Sequence, residues 1–460
     1  MSTRIKATLL AAVLFATPAL AAAATPSDPY PSTYRPVASG PVLIRNATVL
    51  VGNGERLEGA DVLMRDGRIA AVGTGLKAGG ATEVDGTGKW VTPGLIDVHS
   101  HLGVYPSPGV TAHQDGNEMS MPVTAQVWAE HAVWPQDPDF ATALAGGVTS
   151  LMILPGSGNL IGGRGTVLKN VSALTVQDMK FPGAPQGLKM ACGENPKRFY
   201  GGMGQSPMTR MGNLAGYRAA FASAQAYRTA WDKYNAGSGK GRGKSSAGDP
   251  PARDLNLDTL ADVLRGNITV QIHCYRADEM ALMLDLAKEF GFKVATFHHG
   301  VEAYKIADLL ARNGVCGALW ADWWGFKMEA FDGIQENIAL VDRPEGGCAV
   351  VHSDSAEGIQ RLNQEAAKVM VRGERVGLSL PPERAIRWIT SNAAKAIGIS
   401  ELTGELAKGK MADVVLWSGN PFSVYAKAEK VYVDGALLYD RGNRALQPQS
   451  DFMLGQGVQP

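Results

Sequence analysis

The rhythm of apolar and polar positions changes twice along this chain. Residues 42–52 (VLIRNATVLVG), 61–64 and 68–72 (RIAAV) are short β-rich runs split by turn signals such as Arg65-Asp66-Gly67, and they predict a small antiparallel unit. The texture returns near the other end, where 413–417 (DVVLW) and 429–433 (EKVYV), followed by Asp434-Gly435, predict strands and a hairpin turn. Both ends of the chain are thus expected to contribute to one small β-domain.

Between them, short apolar runs alternate with helix-like segments, the pattern of a parallel sheet flanked by helices. Strand candidates fall at 94–98, 148–154, 165–171, 187–192, 268–273, 293–298, 315–320 and 348–352. Met283, Leu286, Ala287 and Phe290 recur at helical spacing, and Gly291 stands where a C-terminal cap belongs. Eight such strands predict a closed (β/α)8 TIM-like barrel. An open dinucleotide-binding sheet fits less well, because no GxGxxG opens the first strand–helix unit. Residues 236–252 are polar and rich in Gly, and are expected to form a mobile surface insertion.

Composition narrows the choice of partner. The 460 residues carry 44 basic and 44 acidic side chains, a formal charge of +0, which removes the electrostatic case for nucleic acid and favours a small-molecule substrate. Arg4 and Lys6, the apolar run Ala7 to Ala16 and the small-x-small site Ala19-Leu20-Ala21 predict a cleavable signal peptide over 1–24, hence a periplasmic or secreted protein. The run is too short, and meets Pro18 too soon, for a membrane span. Cys192, Cys274, Cys316 and Cys348 lack CxxC spacing and lie in or beside apolar runs, so they are expected to be small buried hydrophobes rather than disulfides.

Histidines carry the chemistry. His99 and His101 end an apolar strand, and residues two apart on a strand project to one side, so the pair can grip one cation at the rim where barrel enzymes keep their sites. Imidazole is the commonest ligand for such ions. His273, the pair His298-His299, and His352 also follow apolar strands. Adjacent strand residues face opposite ways, so only one of His298 and His299 is expected to enter the site. A satisfied core histidine is the competing reading for His298 and His352, and His113 and His131 are expected on the substrate side or at the surface. Asp354, in His352-Ser353-Asp354-Ser355, is placed to bind metal and to receive the proton of a metal-bound water.

The motifs VTPGLIDVHSHLG (91–103), GGVTS (146–150), IHCYRADEM (272–280), FHHGVEAYKIADLLA (297–311), HSDS (352–355) and TGELAKGKMADVVLWSGNP (403–421) together resemble the amidohydrolase superfamily of metal-dependent hydrolases, nearest to its imidazolonepropionase-like and prolidase-like members. The resemblance implies a TIM-like barrel over 93–401 and a small β-sandwich from 38–92 and 402–445. It also implies one or two divalent ions, commonly Zn2+, with Mn2+ a further choice. Matched by motif, the ligands are His99, His101, His273, His299 (favoured over His298 because it precedes Gly) and Asp354. The bridging group is expected to be Glu194, with a carboxylated Lys189 as the alternative. Tyr275 and Arg276 replace the pattern usual after the fifth-strand histidine and are expected to contact substrate, as is Trp323 from the WADWWGF run, in which Trp324 is the other candidate.

The expected activity is hydrolysis of an amide or dipeptide-like C–N bond by a metal-bound hydroxide, with Asp354 as general base and then acid. A cyclic amide, deamination, or a non-catalytic binding role are the alternatives, and a homo-oligomer is compatible with all of them.

Overall fold

Eight strands pair in sequence order to make the barrel sheet: Leu95–Ser100, Val148–Ile153, Ile161–Lys169, Gly187–Ala191, Thr269–His273, Val294–His298, Cys316–Leu319 and Ala349–Val351. The computed structural model describes residues 28–237, 249–323 and 325–448. The chain divides into two units, Met1–Pro31 and Ser32–Pro460; of the first only residues 28–31 are described, and the barrel lies within the second. The signal segment expected at 1–24, Trp324 and positions 238–248 of the expected insertion lie outside the described residues. Among the described residues no helix is long and apolar enough to cross a membrane.

The sheet is nearly closed. Between its first and last strands the link is made by side chains and loop backbone: Asp354 N–H donates to the His99 carbonyl at 3.1 Å, and Ser353 N–H to Asp97 Oδ1 at 3.1 Å. One strand departs from the parallel pattern expected from the sequence. Ile161–Lys169 runs antiparallel to both neighbours. Residues 154–160 are too few for a parallel crossover, which takes about a dozen residues or more, so the chain turns straight back.

The second half keeps the alternation of strand and helix. Helix Ala277–Phe290 buries the stripe Met283, Leu286, Ala287 and Phe290, and Gly291, in the left-handed region at φ 78°, ends it as a glycine cap does. Each large apolar side chain buried in this way stabilises by roughly 1.5–3 kcal/mol. Helix Ser391–Ala396 closes the inside of the barrel: Ala393, Ala394 and Ala396 pack with Ile96, Val98, Met152, Ala318 and Val350 from the strands.

Strands from both ends of the chain form a second eight-stranded sheet, in the order 436–440, 428–433, 414–417, 90–93, 42–50, 56–65, 68–73, with 82–85 also on 42–50. It has an apolar cluster of its own, including Ile44, Val62, Val414 and Tyr432. Lys169, from the barrel, ties the two sheets together through its ammonium, which is within 3.0 Å of both Asp413 and Asp434; all three side chains are buried.

The four cysteines are buried, as expected, but they are paired, which corrects the sequence-based expectation. Cys192 is joined to Cys274 and Cys316 to Cys348, with Cα separations of 5.1 and 4.5 Å. Strand register is the reason: Ala191 faces His273 and Gly317 faces Ala349, so each cysteine lands opposite its partner on the neighbouring strand.

Candidate metal centre and active site

His99, His101 and Asp354 converge at the C-terminal end of the barrel. One ligand atom from each lies within 4.8 Å of the others, a group able to hold a metal ion. Asp354 Oδ1 is 3.2 Å from His101 Nε2 and 3.5 Å from His99 Nε2, while its Oδ2 is 3.8 Å from His299 Nδ1. The carboxylate is partly buried. Burial raises its pKa, but the His101 hydrogen bond and the other positively polarised groups facing it outweigh this and hold it below the usual carboxylate range.

Histidines crowd around this group. Ring centres lie 4.5 Å apart for His99 and His299, 4.8 Å for His273 and His299, and 5.3 Å for His99 and His352. Burial drives His99, His273 and His299 well below the ordinary histidine value and His352 down to about 4, so these rings are neutral. His99 Nε2, His273 Nδ1, His299 Nδ1 and both nitrogens of His352 are buried without hydrogen-bond partners. An unsatisfied buried polar atom costs about 1–3 kcal/mol, and five nitrogens on neutral imidazoles beside one carboxylate are a donor set that fits a divalent cation.

Contrary to the alternation expected along a strand, both His298 and His299 face the interior. His299 has φ 68°, in the left-handed region that residues other than glycine rarely adopt, and this turns a second consecutive ring inward. Asp354, at φ 51°, is a second such residue in the same site. His298 is the satisfied core histidine: its Nε2 bonds to Gln271 Oε1 at 2.8 Å and its Nδ1 to His99 Nδ1 at 2.9 Å.

The two candidates for a bridging group lie in different surroundings. Lys189 is fully buried, donates to the Pro155 carbonyl at 3.0 Å, and perturbs the titration of His99, His273, His299 and His352; burial pulls its own pKa down to about 7. Glu194, expected as a ligand, is outside the group formed by His99, His101 and Asp354. Gly193, at φ 78°, breaks the strand, and Glu194 opens helix Glu194–Gly202 with its carboxylate 3.6 Å from Lys327 Nζ.

The expected substrate contacts also diverge. Tyr275 is buried 4.6 Å from the His273 ring, its hydroxyl pKa raised by burial and then by Asp354, Glu329 and Glu194. Arg276 is occupied by a two-pronged pair with Asp278 at 2.9 Å and lines an outer cavity of about 830 Å3 together with Glu194 and Arg210. Trp323 is half-exposed and lies 5.4 Å from Trp320, which stacks on His299 at 4.3 Å; all three residues line one small cavity. His113 and His131 pack on Trp134 and Trp128, away from the cluster.

Several residues of this neighbourhood were not expected at the site from the sequence: Gln271, Asn195 and Lys327, and also Ser353 and Trp320, although these two stand within the HSDS and WADWWGF runs. Asp97, inside the first motif, accepts hydrogen bonds from Ser353 N, Ser353 Oγ and His99 N, and burial lifts its carboxyl to about 7. Lys327 lies 4.3 Å over the Tyr275 ring and donates to Asn195 Oδ1 at 2.9 Å, while Asn195 Nδ2 stands 3.4 Å from His273 Nε2.

Comparison with known proteins places this arrangement in context. A sequence model described as Amidohydrolase family matches residues 335–438. The crystal structure of an amidohydrolase from Thermotoga maritima MSB8 superposes with a TM-score of 0.78 at 35% identity, over 87% of this chain and 100% of that one. Amidohydrolase tasK of Hapsidospora irregularis is 31% identical over 438 residues, covering 87% of this chain but 43% of that protein, so the chain spans less than half the length of that relative. A dihydroorotase of Lactobacillus helveticus is 49% identical over 73 residues, 16% of each chain.

Proposed function

Because the chain belongs to the amidohydrolase family, we propose that it hydrolyses the C–N bond of a small amide or dipeptide-like substrate at a site holding a divalent cation, zinc before manganese. The observation that carries this reading is the convergence of His99, His101 and Asp354 beside buried imidazole nitrogens that lack partners. His273, His299 and His352 would complete the donor set, and Lys189, fully buried with its amine drawn down to about 7, would serve as a further ligand if carboxylated. A bound cation would polarise the scissile carbonyl and lower the pKa of a water molecule.

The chain's own groups do the rest. Asp354 is held ionised, so its carboxylate takes a proton from the attacking water and returns it to the leaving nitrogen. Tyr275 supplies a hydroxyl beside His273 to orient the carbonyl, and Trp320 covers His299 and keeps bulk water off that side. Arg276 is tied up by Asp278, so recognition of a substrate carboxylate falls to other groups.

Export to an oxidising compartment is part of the same proposal, supported by the pairing of all four cysteines. The sheet built from both chain ends is read as the small sandwich domain. A panel of N-acyl amino acids, dipeptides and cyclic amides, incubated with zinc-loaded protein and with Asp354→Asn, tests the activity. Turnover of an amide by wild type that falls by orders of magnitude in the variant is the expected result; no turnover of any panel member contradicts it.

A further inference from the structure

A chain of hydrogen bonds runs from the floor of the barrel to the candidate metal centre. It starts at Ala396, the last residue of helix Ser391–Ala396, whose carbonyl accepts from Gln271 Nε2 at 3.0 Å and from Thr296 Oγ1 at 3.1 Å. Gln271 Nε2 also faces Thr269 Oγ1 at 3.3 Å. These contacts fix which way the buried amide points, because the flipped orientation would set Gln271 Oε1 against the Ala396 carbonyl, two acceptors with no proton between them. Gln271 Oε1 is thereby committed to His298 Nε2 at 2.8 Å, and an amide oxygen can only accept.

His298 Nε2 must therefore carry the proton. A second proton on Nδ1 would make His298 a buried cation whose hydrogen-bond partners, among the described residues, include no carboxylate, which is costly. Its Nδ1 is then an acceptor, and the described group bonded to it is His99 Nδ1 at 2.9 Å, which must be the donor. A neutral imidazole protonated at Nδ1 has its lone pair at Nε2, and His99 Nε2 is the atom that faces Asp354.

We propose that Gln271 is a positioning residue that sets the ring tautomer of His99 through His298, so that His99 presents a bare Nε2 to the metal centre. Resting on the reading of His99 as a cation ligand, this assigns work to two buried side chains outside the ligand set. His101 reaches the same state by a shorter route, since its Nδ1 faces the Leu154 carbonyl at 2.9 Å and must donate to it. His99 has no carbonyl at that position and borrows one from Gln271, two residues removed.

The test reads the tautomer directly. In metal-free wild type with 15N-labelled histidine, ring nitrogen shifts assigned through His99→Asn and His298→Asn should show His99 protonated at Nδ1 and His298 at Nε2. Gln271→Met, close in volume but without an acceptor, should leave both rings as tautomer mixtures and weaken binding of Zn2+ alone, measured by chelator competition, by about 10–100-fold, the usual effect of losing a group that orients a ligand. His99 found protonated at Nε2 in wild type overturns the proposal, as does a folded Gln271→Met with unchanged shifts and zinc affinity. If Gln271→Met does not fold, the wild-type shifts still decide. Failure of wild type to bind zinc, with the tautomers as stated, would count against the metal reading and not against this one.

Discussion

The backbone of Asp354 and the backbone of His99 are hydrogen-bonded at 3.1 Å, while the Asp354 carboxylate lies 3.5 Å from the His99 ring. The same two residues thus join the last barrel strand to the first and form part of the candidate metal group. Their backbone and side-chain roles can be separated. Asn tolerates the left-handed conformation of Asp354 and keeps the backbone bond, whereas Ala is strained there by roughly 1–2 kcal/mol. Asp354→Asn is expected to lower turnover by about 100-fold or more with little change in thermal midpoint, and Asp354→Ala to lose both. Activity and melting curves of the two variants check this; equal turnover in Asp354→Asn and wild type contradicts it.

Ser353 carries the second part of that closure. Its hydroxyl and amide both donate to the buried Asp97, which in turn accepts from His99 N. Ser353→Ala removes one donor from a carboxyl buried away from water and should destabilise the protein by about 1–3 kcal/mol. Denaturant titration reads the loss, and an unchanged midpoint would show that the link is not structural.

Thiol titration separates paired cysteines from buried free ones. Denatured without reductant, the protein should react with no thiol reagent, and after reduction it should present all four cysteines. Reduction should also lower stability by about 2–4 kcal/mol for a native bridge. Four reactive thiols before reduction would restore the reading made from the sequence.

Asp342 offers a pH signature away from the metal group. Burial raises its carboxyl pKa despite Arg384 at 2.6 Å. The folded protein holds this proton to higher pH than the unfolded chain does, so the contribution is full below the ordinary carboxyl value of about 3.9 and is lost as pH rises through the raised one. Stability measured across that window should fall with pH less steeply in Asp342→Asn than in wild type. Identical slopes would contradict the shift.

The barrel was legible wherever one strand and one helix formed a unit: His99, His101, His273 and Asp354 all stand where apolar runs said strands would end. Legibility failed where tertiary geometry overrode a local rule. Residues 161–163 (IGG) hid the start of the third strand, and its reversed direction depends on a short connection rather than on periodicity. The inward turn of both His298 and His299 depends on one left-handed backbone angle. Glu194 and Lys189 are five positions apart and chemically plausible alike, yet Lys189 lies buried on the strand whereas Gly193 ends that run and Glu194 opens a helix. Cysteine pairing needed the register of four strands, which no single stretch of sequence contains.

Metal content of the purified protein is the measurement closest to the proposed chemistry, compared between wild type, His99→Ala, Lys189→Ala and Glu194→Ala after incubation with zinc or manganese and removal of free ion. Roughly stoichiometric metal is expected in wild type and in Glu194→Ala, with a marked loss in His99→Ala and Lys189→Ala. No retained metal in wild type, or a loss confined to Glu194→Ala, would contradict a metal centre built on His99 and Lys189.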